Sequence, residues 1–134
     1  MKVVLFVCVH NAGRSQMAEA MLNHLARERG LAIAAESAGT VGGKLINPVA
    51  TEAMLELGIS MEGQYPKLLD QSMVDSADLI ITMGCGVDAE ACPARFLVSE
   101  DWGIPDPNGE GIAAVRKIRD EIVAKTEELA ARLT

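Results

Sequence analysis

Short continuous hydrophobic runs alternate along the chain with segments in which apolar residues recur at helical spacing. The continuous runs predict strands that are buried on both faces of a sheet. These predicted strands are residues 3–7, 32–37, 78–83 and 95–98. Helical spacing, bounded by Gly or Pro, predicts helices at residues 15–29, 48–57 and 112–133, and a short helix or turn at 68–76.

Strands that alternate with helices are typical of an α/β fold with right-handed crossovers. We therefore expect a three-layer open sandwich around a four-stranded parallel sheet, in which ligands bind beyond the carboxyl ends of the strands. No internal repeat, low-complexity tract or Pro/Gly/Ser-rich linker interrupts the sequence. Residues 1–134 are therefore expected to form a single domain.

Composition and charge narrow the classes of function. A net charge of −7 argues against nucleic-acid binding, and it also repels anions, so an oxyanion site would need strong local compensation. The apolar start of the chain is too short for a membrane span and lacks a signal-peptide cleavage pattern, which predicts a cytoplasmic protein. Three cysteines in a reducing compartment argue against a structural disulfide framework.

The loop between the first predicted strand and the first predicted helix has the features of an anion site. Its residues are Cys8, Val9, His10, Asn11, Ala12, Gly13, Arg14 and Ser15. Backbone amides and a helix N-terminus can hold an oxyanion there, and Arg14 can clamp it through two parallel hydrogen bonds. The same groups lower the pKa of the Cys8 thiol, and Ser15 is placed to donate to the thiolate, which predicts a nucleophile. The alternative is that Cys8 is a small buried hydrophobe, but the Arg14 spacing argues against it.

The pattern Cys8-x5-Arg14-Ser15, directly after an N-terminal strand, resembles the low-molecular-weight protein tyrosine phosphatases and their arsenate reductase relatives. Residues 11–19 are especially similar to the arsenate reductase branch. The likeness continues through residues 37–40, 77–80 and 102–107, and so it covers nearly the whole chain. It implies the flavodoxin-like fold of that family.

The phosphatase and arsenate reductase branches of the family differ in the residues that follow Asp106 and Pro107. The resemblance implies that Asp106 protonates the leaving group. Phosphatases typically place aromatic residues after this Asp-Pro pair, where they wall a slot for phosphotyrosine, whereas Asn108-Gly109 follows here. The sequence therefore favours a small inorganic oxyanion, which the resemblance implies is arsenate. A phosphatase remains an alternative, and so does a non-catalytic anion-binding module, although Cys8 and Arg14 together with Asp106 argue against the latter.

Cys85 and Cys92 are separated by seven positions. In a helix their sulfurs would lie about 10 Å apart at ~1.5 Å rise per residue, so a disulfide requires this segment to unwind. The resemblance to thioredoxin-coupled arsenate reductases implies a relay in which a Cys8–Cys85 disulfide forms first. A Cys85–Cys92 disulfide then replaces the Cys8–Cys85 disulfide, and thioredoxin reduces the Cys85–Cys92 disulfide. A low-molecular-weight thiol is the alternative reductant, against which the presence of Cys92 argues.

No tightly bound cofactor is expected. Cys8, His10, Cys85 and Cys92 are possible zinc ligands, but no CxxC or HxxxH spacing supports a metal site. The resemblance implies a monovalent-cation site that involves Asn11 together with Glu19 and Ser37. The aspartate expected to complete that site does not align, and Lys67 falls near its position. We therefore hypothesise that the Lys67 ammonium replaces potassium.

Overall fold

The computed structural model describes residues 1–41, 43–84 and 98–133. The strands are β1 (Lys2–Cys8), β2 (Ile33–Gly39), β3 (Leu79–Thr82) and β4 (Glu100–Asp101). The helices are α1 (Arg14–Arg29), α2 (Pro48–Leu55), α3 (Gln71–Ser76) and α4 (Ile112–Arg132). Within these residues the strands form one parallel sheet in the order β2-β1-β3-β4. The predicted α/β fold is confirmed.

The interior strand β1 separates two hydrophobic clusters. Val4 and Phe6 face the larger cluster, in which α1, α2 and α4 cover one side of the sheet. Leu5 and Val7 face a smaller cluster on the other side, against which residues of α3 pack. All four side chains are fully buried, which explains why β1 is a continuous apolar run rather than an alternating one.

The helix ends follow the capping signals of the sequence. The Asn47 side chain accepts a hydrogen bond of 2.9 Å from the Val49 N–H, and Pro48 is the first residue of α2. Helix α1 ends at Arg29 and is capped by Gly30, as expected, whereas α2 ends two residues before the predicted position. No helix in the described ranges is long and apolar enough to cross a membrane.

Strand β4, the last strand among the described residues, lies later in the chain than the strand predicted at residues 95–98. Residues 95–97 of the expected strand are outside the described ranges, Val98 is not in a strand, and β4 is formed by Glu100–Asp101. The apolar pattern did not indicate β4, because β4 lies at an edge of the described sheet, where short and charged strands are tolerated. The Asp101 carboxylate accepts hydrogen bonds from the Thr82 hydroxyl (2.8 Å) and from the Gly84 N–H (2.7 Å), which fixes β4 beside β3.

Candidate active site

A cleft of about 340 Å³ opens at the carboxyl edge of the sheet. Cys8 is the last residue of β1 and Arg14 is the first of α1, so the predicted anion loop lies at a strand end and at a helix N-terminus. The cleft is lined by Cys8, His10, Ala12, Gly13, Arg14, Gly43, Lys44, Leu45, Asn47, Asp106, Pro107 and Asn108.

Cys8 is buried, and its sulfur lies within hydrogen-bond distance of two polar groups. The Asn11 N–H donates to Cys8 Sγ over 3.2 Å, and Ser15 Oγ lies 2.9 Å from the same sulfur. Both contacts come from the loop and the first turn of α1. The sulfur therefore sits where hydrogen bonds stabilise a negative charge on it.

Arg14 is anchored along one edge of its guanidinium group. Nη1 donates to the Ile104 carbonyl over 2.9 Å and to the Met83 carbonyl over 3.3 Å. These bonds hold the buried guanidinium against the residues that follow β3 and β4. Nη2 lies 3.9 Å from Asp106 Oδ2, on the side of the cleft.

Asp106 approaches the cleft from the loop between β4 and α4. Its Oδ1 accepts a hydrogen bond of 2.9 Å from the Asn108 N–H, and its side chain is 57% exposed. Pro107 packs so closely on the anion loop that a Cβ at Gly13 would lie 2.8 Å from Pro107 Cγ. The absence of a side chain at Gly13 therefore brings the Asp-Pro segment next to the loop.

The segment between β2 and α2 forms a wall of the cleft that the sequence analysis missed. Gly43, Lys44, Leu45 and Asn47 line the cleft. The Asn47 N–H donates to the Ala12 carbonyl over 2.7 Å, which ties this wall to the anion loop. A lysine in the turn-rich stretch after β2 was the available signal, because that stretch follows a neighbouring parallel strand.

The structure divides the predicted substrate-binding residues into two groups. His10, Ala12, Gly13 and Arg14 line the cleft together with Cys8 and Asp106. Asn11 and Ser15 are fully buried beneath the loop, and Val9 does not line the cleft. Cys85 and Cys92 lie outside the described residues.

A second polar cluster lies beside the buried part of the loop. The Ser37 hydroxyl donates to Glu19 Oε1 over 2.7 Å, and Lys67 Nζ lies 3.4 Å from the same oxygen. The Glu19 side chain is only 10% exposed, so the Lys67 ammonium supplies the positive charge that a buried carboxylate requires. Lys67 Nζ also lies 5.2 Å from the centre of the Tyr65 ring.

The sequence also matches a known family. The model of the low molecular weight phosphotyrosine protein phosphatases matches residues 3–134. The chain therefore belongs to this family. The fold and the loop that contains Cys8 and Arg14 agree with that assignment. This confirms the resemblance that the sequence analysis identified.

Arsenate reductases recur among its relatives within the family. The glutaredoxin arsenate reductase of Synechocystis sp. is 33% identical over 135 residues, covering 100% of both chains. An arsenate reductase of Halalkalibacterium halodurans is 38% identical over 130 residues, covering 90% of this chain and 89% of the relative.

Solved structures agree with the sequence matches. An arsenate reductase in the phosphate binding state has a TM-score of 0.81 at 33% identity and covers 100% of both chains. The thioredoxin-dependent arsenate reductase of Corynebacterium glutamicum has a TM-score of 0.79 at 36% identity, covering 99% of this chain and 62% of that one.

Proposed function

We propose that this protein reduces arsenate to arsenite and so serves arsenic detoxification in the cytoplasm. The observation that carries the proposal is the meeting of Cys8, Arg14 and Asp106 around one cleft. Among the described lining residues there is no Phe, Tyr or Trp to form a slot for an aryl group. The names of the relatives support arsenate as the oxyanion.

The first step is attack of the Cys8 thiolate on arsenate. An As–S bond forms while an As–O bond breaks, and Asp106 supplies the proton that lets the oxygen leave as water. Arg14 and the loop amides hold the remaining oxygens and the developing negative charge. The 3.9 Å separation of Arg14 Nη2 and Asp106 Oδ2 supports a role for this carboxyl group next to the residue that binds the oxyanion.

The second step transfers two electrons from sulfur to arsenic. The Cys85 thiolate attacks Cys8 Sγ, the S–As pair stays with arsenic, and arsenite leaves while a Cys8–Cys85 disulfide forms. Cys92 then attacks Cys85 and releases the Cys8 thiolate. The resulting Cys85–Cys92 disulfide is reduced by the dithiol of thioredoxin.

Two reductants are candidates for the last step. The thioredoxin-dependent relative and the presence of Cys92 favour thioredoxin. The glutaredoxin arsenate reductase favours a glutathione and glutaredoxin system instead. In that second scheme a small thiol attacks the arseno-cysteine adduct, and Cys92 is dispensable.

The test is arsenate-dependent NADPH oxidation with thioredoxin and thioredoxin reductase, and in parallel with glutathione, glutaredoxin and glutathione reductase. Loss of thioredoxin-coupled turnover in each of Cys8→Ser, Cys85→Ser and Cys92→Ser is the expected result. Turnover by Cys92→Ser that depends on glutaredoxin would replace the dithiol relay with the small-thiol scheme.

An aryl-phosphate assay tests the phosphatase alternative. A weak activity is expected, because the loop does not distinguish phosphate from arsenate by charge or shape. Fast hydrolysis without any arsenate-dependent turnover would assign the protein to the phosphatase branch and contradict the proposal.

The Lys67 ammonium, in this proposal, replaces the monovalent cation of the family. Its 3.4 Å contact with Glu19 and the Ser37 bond to the same carboxylate support it. We expect arsenate reduction to be unchanged when potassium chloride is exchanged for choline chloride at constant ionic strength. Strong potassium activation of the wild-type protein would contradict this role of Lys67.

A further inference from the structure

The buried amide of Asn11 has a fixed orientation. Its Oδ1 accepts hydrogen bonds of 2.9 Å from the Lys67 backbone N–H and from Gln16 Nε2. A backbone N–H can only donate, so the atom that faces Lys67 must be the oxygen. The other end of the amide, Nδ2, then donates to Ser15 Oγ over 2.7 Å.

Gln16 is the second donor that holds this orientation. Its Nε2 lies 2.9 Å from each of three acceptors, which are Asn11 Oδ1, the Asn11 carbonyl and the Tyr65 carbonyl. Its Oε1 accepts from Gln64 Nε2 over 2.8 Å, so the Gln16 amide is itself oriented. The side chain is fully buried and does not line the cleft. Turning the Asn11 amide over would place its NH₂ group against two donors.

The orientation of the Asn11 amide determines the direction in which the Ser15 hydroxyl hydrogen points. Ser15 Oγ accepts from Asn11 Nδ2, and Cys8 Sγ lies 2.9 Å away. A thiolate can only accept, so the Ser15 hydroxyl donates to the sulfur once Cys8 is ionised. With the Asn11 amide reversed, its Oδ1 would compete with the sulfur for that hydrogen.

We propose that Gln16 is a positioning residue that directs the Ser15 hydroxyl onto the Cys8 thiolate by fixing the Asn11 amide. The inference rests on the proposed function only in taking Cys8 as the reactive nucleophile. Gln16 is not among the residues that line the cleft, and in this proposal its effect reaches the reaction through Asn11 and Ser15.

The test is the rate of Cys8 alkylation by iodoacetamide, followed between pH 4 and pH 10 by mass spectrometry of the Cys8 peptide. Gln16→Glu preserves shape but replaces the donor by an acceptor, so we expect the midpoint pH of alkylation to rise. The rate at pH 7 should fall about tenfold, as expected for loss of one hydrogen bond to a charged group. Gln71→Glu is the control, because it makes the same charge change at an exposed residue outside the cleft.

A double-mutant cycle with Ser15→Ala separates this pathway from a structural or direct charge effect. We expect Gln16→Glu to have no further effect on the midpoint pH when the Ser15 hydroxyl is absent. An equal shift in the Ser15→Ala background would overturn the proposal, as would an unchanged midpoint in folded Gln16→Glu alone. If Gln16→Glu does not fold, the same cycle with Gln16→Met, which also removes the donor, decides the question. Alkylation requires no arsenate turnover, so its outcome is independent of whether the proposed reaction is correct.

Discussion

Arg14 combines two contacts that few side chains can make at once. Nη1 is committed to the carbonyls of Met83 and Ile104, while Nη2 lies toward Asp106 and the cleft. A planar guanidinium with five N–H groups can anchor itself along one edge and bind an oxyanion along another. A lysine ammonium at the same place carries its three N–H groups on one nitrogen, so it cannot reach partners on two edges of a plane as the guanidinium does.

We therefore expect Arg14→Lys to lose most of its function although the charge is kept. The value of kcat/KM for arsenate should fall by roughly 10- to 100-fold, which corresponds to one or two hydrogen bonds to a charged group. The measurement is steady-state reduction over a range of arsenate concentrations. Arg27→Lys, an exposed change in the same helix, serves as the control, and equal activity of the two variants would refute the anchoring role.

The residues around the cleft differ in how far the sequence could predict them. Cys8 and Arg14 belong to a local strand-loop-helix motif, and the parallel topology brings Asp106 to the same sheet edge. Gln16 could not be predicted, because its partners Gln64 and Tyr65 are 48 and 49 positions away. Nothing in a local pattern distinguishes a buried amide with such partners from an exposed one.

At the scale of elements, one carboxylate connects α2 to α4. Glu56, the residue after α2, lies 2.6 Å from Arg116 Nη2 and 2.7 Å from Arg119 Nη1. The hydrogen bond from Arg116, helped by Arg119, lowers the pKa of Glu56 from 4.5 to about 2. These ion pairs therefore connect the end of α2 to α4, and both helices cover the same face of the sheet.

The contacts of Glu56 with the two arginines lead to a prediction about stability at low pH. Because the pKa is lower in the folded protein, the stabilisation is complete above pH 4.5 and disappears as the pH falls toward about 2. Glu56→Gln should therefore unfold at a lower urea concentration than wild type at pH 7, and the difference should vanish near pH 2. Glu127→Gln, exposed on α4, should show no such pH-dependent difference.

Gly84, two residues after β3, leads to a second prediction at this scale. Gly84 has φ of 82°, and a Cβ there would lie 2.5 Å from Gly103 Cα. Gly84→Ala should lower the free energy of unfolding by about 1–3 kcal/mol, measured by urea denaturation. Gly109→Ala is a matched control, since φ is 77° and a Cβ there would meet nothing within 4 Å, so it carries the backbone strain without the clash. Equal losses would mean that the close approach of Gly84 and Gly103 is unimportant.

Most elements could be predicted from periodicity and capping residues, and the errors have a physical cause. The long apolar stripe of α4 and the continuous run of β1 are signals of burial, which the fold preserves. The two-residue β4 carries no such signal, because its pairing depends on Asp101 and the partner strand β3. Edge pairing of this kind is decided by tertiary contacts that no local window contains.

For the whole molecule, the net charge of −7 repels the proposed substrate, which is an anion. Lys44 is exposed and lines the cleft, so it offers local attraction where the overall field repels. Exposed charges interact through a screened field, and the attraction should therefore weaken in salt.

Lys44→Gln should raise the KM for arsenate about two- to fivefold, as expected for one screened surface charge, with a smaller change in kcat. The dependence of kcat/KM on ionic strength should change in the same variant. Both are measured by steady-state kinetics at low and at high salt. Lys117→Gln makes the same net-charge change outside the cleft, and an identical effect there would assign the change to global charge alone.

The aromatic pair of Phe6 and Trp102 gives the protein an optical property. Trp102 is the single tryptophan of the sequence, is 7% exposed, and packs with its ring centre 5.3 Å from that of Phe6. It stands two residues before Ile104, whose carbonyl accepts from Arg14. Its emission therefore comes from one place in the molecule, next to the guanidinium anchor. The native chain carries its own fluorophore, and we expect a change in its emission to report oxyanion binding without an added label.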